Sequence, residues 1–120
     1  MTMRIERRHL LTLIHELSSP LADVRASASD RIQDWMGTFS SGDGRLLSEI
    51  LALAASCEQD RGSLETQLHA LSELDAADKI GDADLSLLKS IPAERLHVEH
   101  TDYMEDLASY LEAGRDDSPR

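Results

Sequence analysis

Residues 10 to 32, LLTLIHELSSPLADVRASASDRI, constrain the fold more than any other segment of this 120-residue chain. Apolar side chains recur at helical spacing on both sides of a Ser-Ser-Pro sequence that favours a turn. A first helix is predicted from Arg4 to Leu17. Pro20 suits the first position of a second helix, where a missing N–H costs nothing, and Ser19 can cap that helix. The segment therefore predicts two short amphipathic helices folded back on each other.

The same segment resembles the HEAT repeat, a helical hairpin that stacks into protein-binding solenoids. The positions that carry the resemblance are Leu13, Ile14, Leu17, Pro20, Val24, Arg25, Ala28 and Ile32. The resemblance implies stacked hairpins and a protein partner. It also implies that Arg25 pairs with an acid near the inter-helix turn, Asp23 or a neighbour, and so braces the stack.

A second hairpin is predicted 40 residues further along the chain. A shift of 40 residues superimposes seven apolar positions of the first hairpin on apolar positions of the second, and helical repeats of this type have such a period. Gly37 to Gly44 is the predicted linker, because Gly and Ser disfavour helix, and Asp60 to Ser63 is the turn inside the second hairpin. The predicted apolar faces are Leu46, Leu47, Ile50, Leu51 and Ala54 on helix three, and Leu64, Leu68, Leu71 and Leu74 on helix four.

The last third of the chain predicts a capping hairpin. Gly81 is a break and Asp82 a cap for a short helix, Leu85 to Ile91, which Pro92 ends. Gly114 stops the final helix. The apolar positions of that helix are Tyr103, Met104, Leu107, Tyr110 and Leu111.

We therefore expect an all-α fold: a short right-handed α-solenoid of about three helical hairpins, or six helices, with a C-terminal capping hairpin. Residues 1–114 are expected to form one domain, and residues 115–120 a disordered tail. The chain has only four aromatic residues. Leu, Ile and Ala must therefore fill the core, which suits closely packed helices.

The charge is strongly negative and unevenly distributed. The formal net charge is −11, and residues 32–120 hold seven basic against nineteen acidic residues, whereas residues 1–31 hold five against four. Such a field repels nucleic acid and anionic lipid and attracts basic partners. The alternative is that the acidity only keeps a small protein in solution.

Cysteine usage and hydropathy suggest a cytoplasmic protein. Cys57 is the only cysteine, so an intrachain disulfide is impossible, and we expect it to be buried as a small apolar residue. The apolar run Leu10 to Ile14 is too short for a signal peptide, and no stretch approaches the ~20 apolar residues of a membrane span.

Catalytic and metal-binding motifs are scarce. His97 and His100, with Glu99 and Asp102 beside them, are metal-ligand residue types at helical spacing, but no second cluster supplies further ligands. A polar helix entrance is therefore favoured over a metal site. Neither a phosphate-binding Gly loop nor a nucleophile elbow is present. We expect no catalytic residue, no cofactor and no enzymatic activity.

The remaining arginines and histidines are interpreted as surface or bracing residues. The arginines Arg7, Arg8, Arg25 and Arg31 lack the interleaved aromatics of a nucleic-acid patch. No nucleic-acid partner is therefore expected, and bracing is favoured for Arg25. His9, His15 and His69 are predicted as surface residues.

Small, acidic, helical chains without catalytic residues resemble bacterial immunity proteins, which neutralise secreted toxins. The resemblance implies a basic toxin domain as partner and a binding surface made of acids on helices four to six. Those acids are Glu65, Glu73, Asp75, Asp78, Asp82, Asp84, Glu99, Asp102, Glu105 and Asp106.

The alternative function is a HEAT-like scaffold or adaptor subunit, monomeric or weakly homodimeric. Trp35, Met36 and Phe39 form an apolar cluster beside the predicted linker. Trp35 is either an exposed anchor for a partner, since aromatics dominate interface energies, or the end of the hairpin core.

Overall fold

The computed structural model describes residues 3–116, and the side chains of residues 3–112. Over this range the chain forms six α-helices and three 3₁₀ helices, with no strand, so the predicted all-α class is confirmed. The α-helices are α1 (Arg7–Leu17), α2 (Ala22–Asp34), α3 (Ser41–Cys57), α4 (Arg61–Ala76), α5 (Val98–Asp106) and α6 (Ala108–Asp116). The 3₁₀ helices are Met36–Thr38, Ser86–Ser90 and Ala93–Arg95.

The first four helices form two successive helical hairpins, α1 with α2 and α3 with α4. α1 and α3 end 40 residues apart, at Leu17 and Cys57. α2 and α4 lie side by side in the most extensive helix contact of the molecule, and the Ser63 hydroxyl near the start of α4 donates to the Ala22 carbonyl at 2.8 Å. The molecule measures 39 × 37 × 22 Å, and the shortest dimension corresponds to two helix layers.

The helices of the first hairpin begin later than predicted. α1 begins at Arg7, not Arg4. α2 begins at Ala22, because Leu21 is extended and acts as the N-cap residue. The Ser19 hydroxyl accepts from the Leu21 N–H at 3.1 Å, and the Ser19 carbonyl accepts from the Arg25 guanidinium at 2.8 Å. These bonds keep the Ser-Ser-Pro segment outside the helix.

The predicted Gly37–Gly44 linker is wrong in its second half. Ser40 and Asp43 form a reciprocal capping box that starts α3 at Ser41. Gly44 lies in the first turns of this helix, where a Cβ atom would come within 2.4 Å of the Lys79 carbonyl oxygen. Glycine is therefore required here for close approach rather than for a flexible linker.

In the second hairpin, Asp60 is the N-cap of α4, so the helix starts inside the predicted turn.

The core centres on α4. Leu64, Leu68, Leu71 and Leu74 are all buried, as predicted. The apolar face predicted for α3 is correct for Leu47 and Leu51, but Leu46 is 44% exposed. The buried face of α3 is completed instead by Ser48, Ala52 and Ala55.

The last third of the described chain is less regular than predicted. Leu85, Leu88 and Ile91 are buried, but their segment is a 3₁₀ helix that packs against α3 and α6. The predicted cap Asp82 is wrong: the N-cap residue is Leu85, without a side-chain cap, and Asp84 accepts from the Ser86 N–H at 2.9 Å. The predicted break at Gly81 has φ +61°, which favours glycine.

The predicted final helix is divided at the buried Leu107 into α5 and α6. α6 continues through Gly114 to Asp116, so the predicted stop at Gly114 is wrong. Of the predicted disordered tail, residues 115–120, residues 115 and 116 belong to α6, and residues 117–120 lie outside the described residues. The domain boundary stays a prediction. Within residues 3–116, none of the helices combines the length and apolar character needed to cross a membrane.

Candidate functional site

α5 and the first turns of α6 run alongside α4 in the same direction. Arg61, at the start of α4, binds Glu99 of α5 through its guanidinium. Further along, the Ser72 hydroxyl donates to Asp106 Oδ2 at 3.0 Å. Near the end of α4, Asp75 accepts from the Tyr110 hydroxyl. Acidic side chains of two parallel neighbours are thus brought onto one face.

An aromatic pair occupies the middle of this face. The rings of His69 on α4 and Tyr103 on α5 stack with centroids 5.2 Å apart and planes inclined by 22°. Both side chains are half-buried. Four of the predicted acids lie around this pair, one turn to either side of His69 and beside Tyr103 along α5; we call them the carboxylate ring: Glu65, Glu73, Asp102 and Asp106.

The four carboxylates act together on the phenol of Tyr103. The pKa of Tyr103 lies above its usual value of 10.0, first because the phenol is partly buried and then because of the negative charges of the carboxylate ring. A phenolate would be repelled by these carboxylates. The same field favours a cation placed on this face.

The carboxylate ring and the aromatic pair suit one kind of ligand. Arginine forms bidentate bonds with carboxylates, and its flat guanidinium also stacks on aromatic rings. Lysine carries the same charge but cannot form the bidentate bond. The arrangement can therefore bind a basic side chain.

A second acidic group lies at the end of α4. Burial, the hydrogen bond to Asp75, and the charges of Asp75 and Asp78 raise the pKa of Tyr110 to about 12. Asp78 is exposed, with φ 57°, and follows the last turn of α4. These two predicted acids extend the negative face toward α6.

Three of the predicted acids are held in other contacts. Arg61 is the main cause that lowers the pKa of Glu99 to about 2, so that charge is already paired. Asp82 lies 3.3 Å from Arg45 of α3, and Asp84 donates its N–H to Glu49 of α3. Both are therefore part of a different surface from the carboxylate ring. Glu105 is exposed on α5.

His100 is a structural residue. It is fully buried, its Nδ1 accepts from the His97 N–H at 2.9 Å, and its Nε2 lies 3.1 Å from the Arg61 carbonyl. This pattern assigns the tautomer that carries hydrogen on Nε2. Nδ1 thus caps the start of α5, and Nε2 ties that start to the start of α4. Among residues 3–116, no group of three or more His, Cys, Asp or Glu is placed to hold a metal ion.

Arg25 braces the two hairpins, but its partner is Glu58 rather than Asp23. The guanidinium of Arg25 donates to both Glu58 oxygens at 2.8 and 2.7 Å. Glu58, only 3% exposed, also accepts from Gln67 Nε2 at 2.8 Å and from the Asp60 N–H at 3.0 Å. Burial alone would raise the pKa of Glu58, but these donors together hold it below its usual value.

Cys57 lies on the surface instead of in the core, and Trp35 is neither fully buried nor fully exposed. Cys57 is exposed, not buried, because it lies two residues after the buried Ala55 and so on the opposite side of α3. Trp35 is 37% exposed and meets His9 edge to face, with ring centroids 5.5 Å apart. Phe39 is buried.

Sequence reasoning missed the aromatic pair by assigning His69 to the plain surface. The available signal was the position of His69 four residues from Glu65 and from Glu73, which puts all three on one helix face. Comparison with protein-family models, curated proteins and solved structures finds no match to this chain. Its own geometry therefore carries the functional argument.

Proposed function

We propose that this chain is a non-catalytic immunity protein that neutralises a cognate toxin by binding a basic region of it. The binding surface is the carboxylate ring around His69 and Tyr103, extended by Asp75 and Asp78. Such an inhibitor covers the cationic groove that a toxin nuclease uses for phosphate, so it needs no chemistry of its own.

The convergence of four carboxylates on one half-buried aromatic pair is the observation that supports this proposal most strongly. The surrounding chain adds to it. Residues 61–112 hold twelve acidic and four basic residues. Two of those bases are already engaged, Arg61 with Glu99 and Lys79 with the Met36 carbonyl at 2.6 Å. The excess negative charge therefore stays available to a partner, and it speeds the encounter with a cationic one.

A protection assay tests the proposal. A basic protein encoded next to this chain is expressed in bacterial cells, alone and together with the chain. We expect the chain to restore growth and to co-purify with the basic protein. In the double variant Glu73→Lys and Asp102→Lys, protection should be lost, because two charges of the carboxylate ring are reversed. Both side chains are exposed, so folding should be unaffected.

The matched control reverses two exposed acids on α2, Asp30→Lys and Asp34→Lys. It makes the same change in net charge away from the carboxylate ring, and it should keep protection. The proposal fails if the wild-type chain gives no protection, or if both double variants behave alike.

A second candidate is a scaffold role in which Trp35 anchors a partner. The observation in its favour is that the partly exposed indole borders a cleft of about 200 Å³ with His9 and Leu13. Under this alternative, Trp35→Ala abolishes co-purification of a cellular partner without lowering the melting temperature, and the Glu73→Lys and Asp102→Lys variant still binds.

A further inference from the structure

α3 has a second apolar face that nothing in the described chain covers. Its inner face packs in the core through Leu47, Leu51 and Ala55. On another side, Leu46, Leu53 and Cys57 are exposed and Ile50 is half-buried. We call these last four residues the α3 stripe. A helix that is apolar on two sides is typically covered on both.

The α3 stripe has the spacing of a helix–helix seam. Its residues follow each other at intervals of four, three and four positions, the heptad pattern by which one helix packs against another. The stripe is about 16 Å long at the rise of an α-helix. Ile50, Leu53 and Cys57 of the stripe also line a groove of about 440 Å³ between α1, α2 and α3, whose other lining residues include Leu17, Ala54, Arg25 and Glu58.

The charges on this side of the molecule differ from those of the acidic face. α1 and α3 together carry three basic and three acidic residues, although the whole chain has a net charge of −11. A basic partner is thus not selected here, whereas two copies of the chain can approach through this face without the repulsion that the acidic face would create.

The helix ends indicate how two copies are oriented. Arg45 lies in the second turn of α3, near the positive end of the helix dipole, and its contact with Asp82 at 3.3 Å is exposed to solvent. The last turn of α3 carries no basic residue. If α3 packs antiparallel to α3 of a second copy, each Arg45 comes near the negative end of the other helix, where a cation is favoured. The spacing of the α3 stripe reads the same from both ends, so antiparallel packing places Leu46 opposite Cys57 and Ile50 opposite Leu53.

We propose that the α3 stripe is a homodimer interface in which α3 of one copy packs antiparallel against α3 of another about a two-fold axis. This interface leaves the carboxylate ring on α4 and α5 free, and it is independent of the proposed function. The geometry is isologous, as in most two-subunit proteins.

The first test is molecular mass in solution by sedimentation equilibrium at about 100 µM chain, well above a micromolar dissociation constant. We expect a dimer for the wild type and a monomer for Leu53→Glu. The control Leu87→Glu changes a leucine of similar exposure, 44% against 53%, that lies outside the α3 stripe, on the 3₁₀ helix Ser86–Ser90, and it should stay dimeric. Circular dichroism checks that both variants are folded. A monomeric wild type, a dimeric Leu53→Glu or a monomeric Leu87→Glu overturns the proposal.

The second test is the orientation of the two helices, read by disulfide formation with diamide, which accepts the two electrons and two protons released as the S–S bond forms. Cys57 of one copy is predicted to face Leu46 of the other, so Leu46→Cys should give a covalent dimer. Leu46→Cys combined with Cys57→Ser should not, and neither should the wild type. Cross-linking of the wild type through two Cys57 residues would mean parallel helices and would contradict the proposed packing.

Discussion

Glu58 is the residue on which the junction between the hairpins most depends. Its carboxylate lies at the end of α3, receives the guanidinium of Arg25 from α2 and the amide of Gln67 from α4, and is almost fully buried. A buried ion pair is not by itself a source of large net stability, because both charges lose water. Removing one partner is costly, since the other charge is then left without compensation.

Replacing Glu58 therefore tests the brace. We expect Glu58→Ala to lower the free energy of unfolding by about 3 kcal/mol, because it leaves the charge of Arg25 without its carboxylate and the Gln67 amide without its acceptor. Glu6→Ala is the matched control: it removes a carboxylate whose partner Arg8 is exposed, and it should cost less than about 1 kcal/mol. Urea denaturation monitored by circular dichroism measures both. Equal effects of the two substitutions would show that Glu58 is not a brace.

The pH dependence of stability follows from the direction of the same pKa. The pKa of Glu58 is lower in the folded chain than its ordinary value of 4.5, so the folded state binds the proton less tightly than the unfolded state. The stabilisation is complete above the ordinary value and is lost as the pH falls through the folded pKa. The difference in unfolding free energy between wild type and Glu58→Gln should therefore shrink steadily below pH ~5. A difference that is constant from pH 7 to pH 3 would contradict this assignment.

At the scale of elements, the sequence predicts best where apolar periodicity is strong and local. The leucines of α4 follow the helical period, and all four are buried. By contrast, Leu85, Leu88 and Ile91 are each three residues apart, a spacing that fits the 3₁₀ helix as well as the α-helix. In the predicted linker, the glycine and serine content favours a loop, although Ser40 and Asp43 form a capping pattern that starts a helix. The capping pattern can be recognised in the sequence, whereas the close approach of Gly44 to Lys79 cannot.

Two glycines of α3 separate helix propensity from packing. Gly44→Ala should destabilise the protein by about 1–3 kcal/mol, because the new methyl group overlaps the Lys79 backbone. Gly42→Ala should stabilise it by about 0.5 kcal/mol, since the new methyl group would come no closer than 3.9 Å to the Ser40 hydroxyl and alanine favours helix. Thermal unfolding of the two variants provides the comparison. If both substitutions changed the melting temperature in the same direction, the close approach of the 79–81 loop to α3 would be wrong.

At the scale of the whole molecule, charge is segregated between two faces. The pair α1 and α3 is electrically balanced, whereas the segment from α4 to residue 112 is strongly acidic. The sequence predicted this asymmetry and the acidic residue types. It could not predict which acids converge, because His69 and Tyr103 are 34 positions apart and the path of residues 77–97 decides whether they meet. For the same reason the partner of Arg25, 33 residues away, was missed.

The central claim is that the carboxylate ring binds cationic side chains, and nuclear magnetic resonance tests it most directly. A short peptide of alternating glycine and arginine is titrated into the labelled chain at ionic strengths of about 0.05 and 0.5 M, which span strong and weak screening. We expect saturable shifts centred on His69 and Tyr103, reduced at high salt and lost in the double variant Glu73→Gln and Asp102→Gln. Shifts of equal size at Asp30 and Asp34 on α2, or undiminished shifts in that double variant, would contradict it.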